Sequence, residues 1–561
     1  MIDKVHMSRR EAMAAMTSSL VALSTTSRAE KSPISTVVDN HDQHLQQRLD
    51  TQVTQTWSRW CGACPDTWGL HHCHSAARIL RDGAAAFFHP ESMFHKSESL
   101  YARMELAAGF LLRSQRQDGN IDLITTNFNS PPDTGFVVHN VATAARLAQL
   151  YQHRKLLSLL KDFLIRAGHG MARGGIHTPN HRWVVCAALA QIHELFPDNR
   201  YLQRIDQWLA EGVDIDEEGQ FIERSTTVYN AVSDNALVVM AHKLKRPDLL
   251  KPVRGNLDAM TYLLHPSGEV VTEISRRQDL NTRGTMAGYW LSLRYMAIRD
   301  QNGQYASMLR FIEPDHIRLA SLMEYPDLRK DPPAPAALPD NFEKYYPLSK
   351  VTRIRRGKAS VTIMHEGNSR WLSIRHGRAV VNAVRFATAF FGKGQFVPEF
   401  VEKRDGQFRF KQELEAPYYQ PMTDPNRLPV HRGNWSFLKL QRQKTEINRL
   451  TYATSLHERP HGLDVIVSAD GTDGIPLALE INLRKGGKLK GVVPAPHVDD
   501  AFLLKNGHAE YQMGSDIIRF GPGQCKHAYT QVRGAHDKLP GSSVYITGYT
   551  PFQYTLSFQW L

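Results

Sequence analysis

Asp216-Glu217-Glu218-Gly219-Gln220-Phe221-Ile222-Glu223-Arg224-Ser225-Thr226-Thr227-Val228-Tyr229-Asn230 reads as a turn glycine, a short extended run and the opening of a helix near Val228. The same order recurs on either side of it. Asp118-Gly119-Asn120-Ile121-Asp122 precedes a helix expected from about Phe136, and Ser267-Gly268-Glu269-Val270-Val271-Thr272-Glu273 precedes one expected from about Met286. Between these turns, apolar residues keep helical spacing in block after block, as in Val184, Val185, Ala188, Leu189, Ile192 and Leu195. A turn repeated between helices predicts stacked helical hairpins whose connecting loops gather on one face, and an incomplete (α/α) toroid closes in that way. The loop face is then the natural cleft.

Working outward, Asp331-Pro332-Pro333-Ala334-Pro335 through Pro339 is a proline-rich connector, beyond which the period changes to two. Ala359–Met364, Leu463–Val467, Leu477–Leu483 and Ser543–Thr547 alternate as strands, and turns such as Lys505-Asn506-Gly507 separate them. The expected order is an export segment over 1–30, a helical toroid over 31–330, a linker over 331–345 and an antiparallel β-sandwich over 346–561, an α+β multidomain chain. Lys4, Arg9 and Arg10, a mildly apolar Ala12–Leu23 and the small residues before Ala29 carry the export reading, and Ser8-Arg9-Arg10 resembles a twin-arginine signal. The expected location is therefore periplasmic or secreted. No other apolar run nears the length of a membrane span.

The chain holds 68 Lys and Arg against 56 Asp and Glu, a formal net charge of +12, with 26 His in reserve. Such a balance favours an anionic partner. The basic residues are dispersed and no nucleic-acid module is visible, so an acidic polysaccharide or oligosaccharide is expected ahead of nucleic acid. Cys61, Cys64 and Cys73 cluster among His71, His72 and His74, leaving three options: a disulfide, a structural metal ion or unpaired core thiols.

Two constellations carry chemistry. Thr178-Pro179-Asn180-His181-Arg182-Trp183 sets an amide, an imidazole and an indole at a helix N-terminus, where free N–H groups favour a carboxylate. Tyr229 falls at the beginning of the next helix on the same loop face. Asn180-His181, the glycine hairpin ending in Glu223-Arg224-Ser225 before Tyr229, and the helix-then-sandwich order with a proline-rich join together resemble the heparinase II/III-like polysaccharide lyases and their alginate-lyase relatives. The resemblance implies a carbon–oxygen lyase cleaving a uronate-containing glycan by β-elimination to a 4,5-unsaturated uronate, with no cofactor required. It implies that Asn180 and His181 contact the uronate carboxylate and that Tyr229 moves a proton. A further histidine is implied from the β domain, His376 ahead of His365. His139, Asn140, Trp183, Arg276, Arg277 and Tyr289 are the expected substrate-lining residues. The competing expectations are a toroid glycoside hydrolase using two of Asp133, Glu223, Asp234 and Glu273, and a non-catalytic protein that binds acidic glycans.

Overall fold

The computed structural model describes residues 33–404, 406–422, 430–431 and 433–561; the export segment expected over 1–30 lies outside them. The first half is helical: α1 (Pro33–Thr51), α2 (Cys73–Phe88), α3 (Glu98–Ser114), α4 (Pro131–Leu150), α5 (Arg154–Arg173), α6 (Asn180–Leu195), α7 (Asn199–Ala210), α8 (Tyr229–Lys243), α9 (Leu250–Met260), α10 (Trp290–Asp300), α11 (Gly303–Leu309) and α12 (Leu319–Glu324). A short hairpin of β1 (Ile121–Leu123) and β2 (Asn127–Ser130) stands before α4.

Helix composition sorts these into two layers. Every residue of α6 except His193 and Glu194 is buried, whereas α7 buries only Tyr201 and Ile205. A helix apolar all round belongs inside, and one with a single stripe belongs outside. Accordingly α2, α4, α6, α8 and α10 pack in succession as an inner ring, α3, α5, α7, α9 and α11 lie against them outside, and α12 rests on α2 and α4. Gly135 permits the close approach of α4 and α6, since a Cβ there would sit 3.1 Å from Val184 Cγ1.

The repeated turn is one structure used four times. Its first N–H donates to the oxygen four residues on, and its fourth N–H donates back to the first oxygen, in Asp66–Leu70, Arg116–Asn120, Asp216–Gln220 and His265–Glu269. Gly69, Gly119, Gly219 and Gly268 hold its fourth place at φ +80°, +100°, +77° and +78°, a region glycine enters without strain. Three also need the space: a Cβ on Gly119 or Gly219 would run into the backbone of α5 or α9, and one on Gly268 into the Phe311 ring.

The second half begins earlier than the 331–345 linker expectation, because Asn341 already starts a strand. One nine-stranded sheet and one eight-stranded sheet are built from β3 (Asn341–Tyr346), β4 (Val351–Arg356), β5 (Ala359–Met364), β6 (Leu372–His376), β7 (Ala379–Thr388), β8 (Phe400–Arg404), β9 (Gln407–Tyr419), β10 (Lys444–Arg459), β11 (Gly462–Asp470), β12 (Pro476–Leu483), β13 (Lys488–Lys490), β14 (Val493–Pro494), β15 (Ala501–Leu503), β16 (Ala509–Met513), β17 (Asp516–Gly521), β18 (Ser542–Tyr549) and β19 (Phe552–Trp560). The orders are β14-β15-β18-β12-β7-β6-β5-β4-β3 and β13-β16-β17-β19-β11-β10-β9-β8. Pairing is antiparallel except where β15 meets β18 in parallel, a departure from the wholly antiparallel expectation. Nor does β5 alternate between buried and exposed: all six of its residues are buried. One face of β5 packs on the second sheet and the other on the helical ring, so neither face of this strand meets water. Tyr346, Val351 and Met364 belong to the same apolar cluster as the helices.

All five cysteines are free, four of them buried, so the disulfide option falls away. Cys64 Sγ donates to the Arg48 oxygen at 3.3 Å and burial pushes the Cys73 thiol up to about 11, which makes both packing residues. No group of three or more His, Cys, Asp or Glu gathers as a metal site among the described residues, and none of their helices is long and apolar enough to cross a membrane.

Toroid and sandwich are joined through Glu269, the last residue of the fourth turn. It accepts from Arg283 at 2.8 Å, from Arg484 at 2.8 and 2.9 Å, and from Arg375 of β6. Burial works to raise the Glu269 carboxyl, but the Arg484 hydrogen bonds and the Arg375 and Arg484 charges outweigh it and hold the group at about 2. Glu269→Gln keeps the shape and strands three guanidiniums, so it should cost about 3 kcal/mol in urea unfolding at pH 7. The folded pKa lies below the ordinary 4.5, so this contribution is complete above pH 4.5 and is lost as pH falls towards 2. The gap between wild type and variant should therefore close across that window, and an unchanged gap at pH 3 would refute it.

Candidate functional site

The loop face gathers the starts of α4, α6 and α8 and the segment 272–284 that follows the fourth turn. Asn180 opens α6 and is 1% exposed. Its Nδ2 donates to Glu223 Oε2 at 2.5 Å and to Thr178 Oγ1 at 3.2 Å, while its backbone N–H reaches the same Glu223 oxygen at 3.3 Å. Glu223 Oε1 lies 3.2 Å from Arg277 Nη1, and the Arg277 guanidinium sits 4.8 Å over the Tyr229 ring. Gln278 Nε2 donates to the Tyr229 hydroxyl oxygen at 2.7 Å. Asn180, Glu223, Arg277, Tyr229 and Gln278 thus form one connected set.

His181 is adjacent. Its ring meets His177 edge to face at 4.7 Å and Phe136 at 6.2 Å, and its Nδ1 is buried without a partner. Burial, His177 and Arg277 push the imidazole down to about 4 against the opposing field of Asp133. His181 is therefore neutral at physiological pH.

Local chemistry holds this arrangement in place. Asp279 accepts from Ser225 Oγ at 2.9 Å and from Thr227 Oγ1 at 2.9 Å, locking segment 272–284 to the turn before α8. Ser225 Oγ then accepts from the Tyr229 N–H at 3.1 Å, which fixes where the ring leaves the helix.

Several expected residues lie elsewhere. Trp183 is fully buried, and its Nε1 donates to Asp214 at 2.8 Å. Tyr289 is also fully buried, its hydroxyl donating to the Thr226 oxygen at 2.7 Å. Both are core residues whose polar tips are satisfied internally, so neither lines a substrate path. Arg276 is exposed beside Arg277 and donates to the Ile222 oxygen at 3.4 Å. His139 and Asn140 line a cavity inside the helical ring, where His139 Nδ1 lies 2.6 Å from Gln191 and Asn140 accepts from Arg81 at 2.7 Å.

His376 is corrected by strand parity. On β6, Ser373 and Arg375 turn to the toroid, where they bind Glu273 and Glu269. His376 has the opposite parity and lies in the field of Asp516, next to the Ile517 backbone of β17. His365 also points into the sandwich, bonded to Thr352 at 2.9 Å and against Phe408 and Phe410. Neither histidine reaches the toroid cleft.

The sandwich instead contributes arginines. A pocket of about 260 Å³ between the two halves is lined by Glu273, Asn281, Arg283, Arg370, Arg375 and Arg484. Sequence reasoning missed this cluster, as it missed Gln278, His177 and Trp68, the last at the tip of the first turn and 83% exposed. The hydrolase carboxylates are otherwise committed. Asp133 caps α4 with Ser130, Glu223 is tied to Asn180 and Arg277, and Glu273 holds the Thr272 N–H and Ser373. Burial drives Asp234 far above the ordinary carboxylate range, and it has no exposed surface.

No protein-family model matches the sequence, and no curated protein does. Solved structures are similar over almost the whole chain. One is the Streptomyces coelicolor A3 chondroitin AC lyase in complex with chondroitin sulphate, with 12% identity and a TM-score of 0.56 over 95% of this chain and 80% of that one. Another is a Paenibacillus xanthan lyase, with 10% identity and a TM-score of 0.57 over 94% of this chain and 57% of that one. At these identities the likeness is one of fold: a helical toroid followed by a β-sandwich, in the arrangement of polysaccharide lyases.

Proposed function

We propose that the protein is a polysaccharide lyase that breaks a uronate-containing acidic glycan by β-elimination across C4–C5, leaving a 4,5-unsaturated uronate. The observation that carries this function is the connected set of Asn180, Glu223, Arg277, Tyr229 and Gln278 on the loop face, with neutral His181 beside it. The lyase fold of the similar structures supports it.

Elimination removes a weakly acidic C5 proton next to a carboxylate, so positive charge or donors must meet the carboxyl group as negative charge builds. Arg277 has the charge for this, and Glu223, pinned by Asn180, holds its guanidinium in position. Asn180 thus acts through Glu223, since its amide hydrogens are already used. Neutral His181 takes the C5 proton, the C5–H pair forms the C4=C5 bond, and the C4–O4 bond breaks. Because the Tyr229 oxygen accepts from Gln278, its own proton is free for the departing O4. One proton is taken and one is given; water then restores both groups.

Tyr229→Phe keeps the ring and removes the acid, so turnover, followed as the conjugated product absorbing near 235 nm, should fall roughly 10²–10⁴-fold with KM little changed. Asn180→Ala releases Glu223 and loosens the Arg277 guanidinium, so it should lower turnover roughly 10²-fold, the cost of a misplacement of about 1 Å. Near-normal activity in Tyr229→Phe would defeat the mechanism.

The His181 pKa also has a sign. The folded value near 4 lies below the ordinary 6.5, so the unfolded chain binds the proton first, and His181 withdraws stability as pH falls from 6.5 towards 4. By NMR its ring should titrate near pH 4; an inflection near 6.5, lost in His181→Gln, would contradict the burial argument.

A further inference from the structure

Inside the helical ring, two guanidiniums have no partner among the described residues. Arg78 extends from α2 and Arg318 stands at the N-terminus of α12; neither has a hydrogen bond or ion pair to its side chain. Both open onto a cavity of about 420 Å³, also lined by His74, Arg81, His139 and Asn140, and onto an adjoining one of about 320 Å³ at the seam with α1. The nearby carboxylates are spent. Asp82 is paired with Arg48 and Arg81, and Glu324 lies 2.8 Å from Lys243 and accepts from Thr143 at 2.9 Å. The Arg78 and Arg318 side chains are both exposed to the water of these cavities, so their guanidinium donors stand open to an incoming anion.

The cavity continues the candidate site. His181, Val184 and Gln191 lie along one side of α6, and Tyr229, Val232, Ala236 and Val239 along one side of α8; Val184, Gln191, Val232, Ala236 and Val239 all line it. Phe136, which touches the His181 ring, lines it as well. The cavity mouth is therefore about one helical turn, roughly 5 Å, below His181 and Tyr229. Its far end is closed by Thr143, Glu324 and Tyr325.

We propose that this cavity is an anion subsite in which Arg78 and Arg318 together hold one carboxylate or sulfate ester on a sugar adjacent to the one that is cleaved. Its place next to the cleaved sugar rests on the lyase function above; the anion recognition does not. A guanidinium pair matches a planar or tetrahedral oxyanion through charge-assisted hydrogen bonds, and Asn140 and His139 offer polar contacts to sugar hydroxyls.

The test is calorimetric titration at low ionic strength with D-glucuronate, D-galactose 6-sulfate and neutral D-glucose as probes. Wild type, Tyr229→Phe, Arg78→Met, Arg318→Met and the double arginine variant are compared. At least one acid should bind saturably and glucose should not; the tighter acid identifies carboxylate or sulfate as the group recognised. Each arginine variant should weaken acid binding about tenfold or more, and Tyr229→Phe should leave it intact. The arginine variants should melt no lower than wild type, because each replaces an exposed side chain that pairs with nothing among the described residues.

The subsite is overturned by no saturable binding of either acid, by equal binding of glucose, by binding indifferent to the double variant, or by a large fall in melting temperature in either single variant. Arginine-dependent binding in a protein that yields no 235 nm product from any acidic glycan would sink the lyase function and leave the subsite standing. A working lyase whose acid binding ignores both arginines would sink the subsite alone.

Discussion

One carboxylate holds the two halves of this protein in register. Glu269 ends a turn whose geometry only the left-handed Gly268 allows easily, and it meets Arg375 from β6, Arg484 beyond β12 and Arg283 from the segment that follows it. A lone buried carboxylate would be expelled or protonated; three guanidiniums keep it ionised, and it in turn keeps them from repelling one another. Segment 272–284 is thereby fixed at two points, just before its start through Glu269 and in its middle through Asp279 on Ser225 and Thr227. That segment carries Arg277 and Gln278, the two side chains that touch Tyr229. The sandwich therefore shapes the candidate site without placing a histidine in it.

The parts of the fold legible in the sequence were those enforced by local backbone chemistry. A turn that needs positive φ and a close helix behind it admits glycine, so Gly119, Gly219 and Gly268 announced it. The first copy along the chain, Asp66–Leu70, is masked by Cys61, Cys64, His71 and His72 around it, which have the composition of a metal or disulfide site. It is also the copy with nothing behind its glycine, so its sequence is the least constrained. The Asn180, His181 and Tyr229 trio was legible as polar residues at the openings of loop-face helices. What linked them was not, because Glu223 reaches Asn180 across 43 positions and Arg277 comes from a third loop.

Long-range partners explain the remaining errors. Trp183 and Tyr289 resemble sugar-stacking residues until Asp214 and the Thr226 oxygen are seen to satisfy their polar tips. His376 failed on parity. From Leu372 to Arg375 the strand is buried on both faces, so burial cannot say which neighbour a side chain meets, and a shift of one position exchanges the toroid for the second sheet. Arg375, its neighbour, has the parity the role required and had been read only as its flank.

The distribution of unsatisfied groups separates structure from function. At the Glu269 junction the carboxylate is surrounded by donors and the charges close on one another, as a structural ion cluster must. On the loop face the balance is left open: Asn180 Oδ1 and His181 Nδ1 are buried without partners, and one turn below them the exposed Arg78 and Arg318 line a cavity whose carboxylate, Glu324, is paired with Lys243. Each of the two buried groups costs folding free energy that tighter internal pairing would have recovered. Since the neighbouring groups Asp82, Arg81, Lys243 and Glu324 are all paired, the open ones do not reflect a general shortage of partners in this part of the chain. They lie on α2, on α6 and at the start of α12, and an anionic ligand would bring both the acceptors and the negative charge that the two guanidiniums lack.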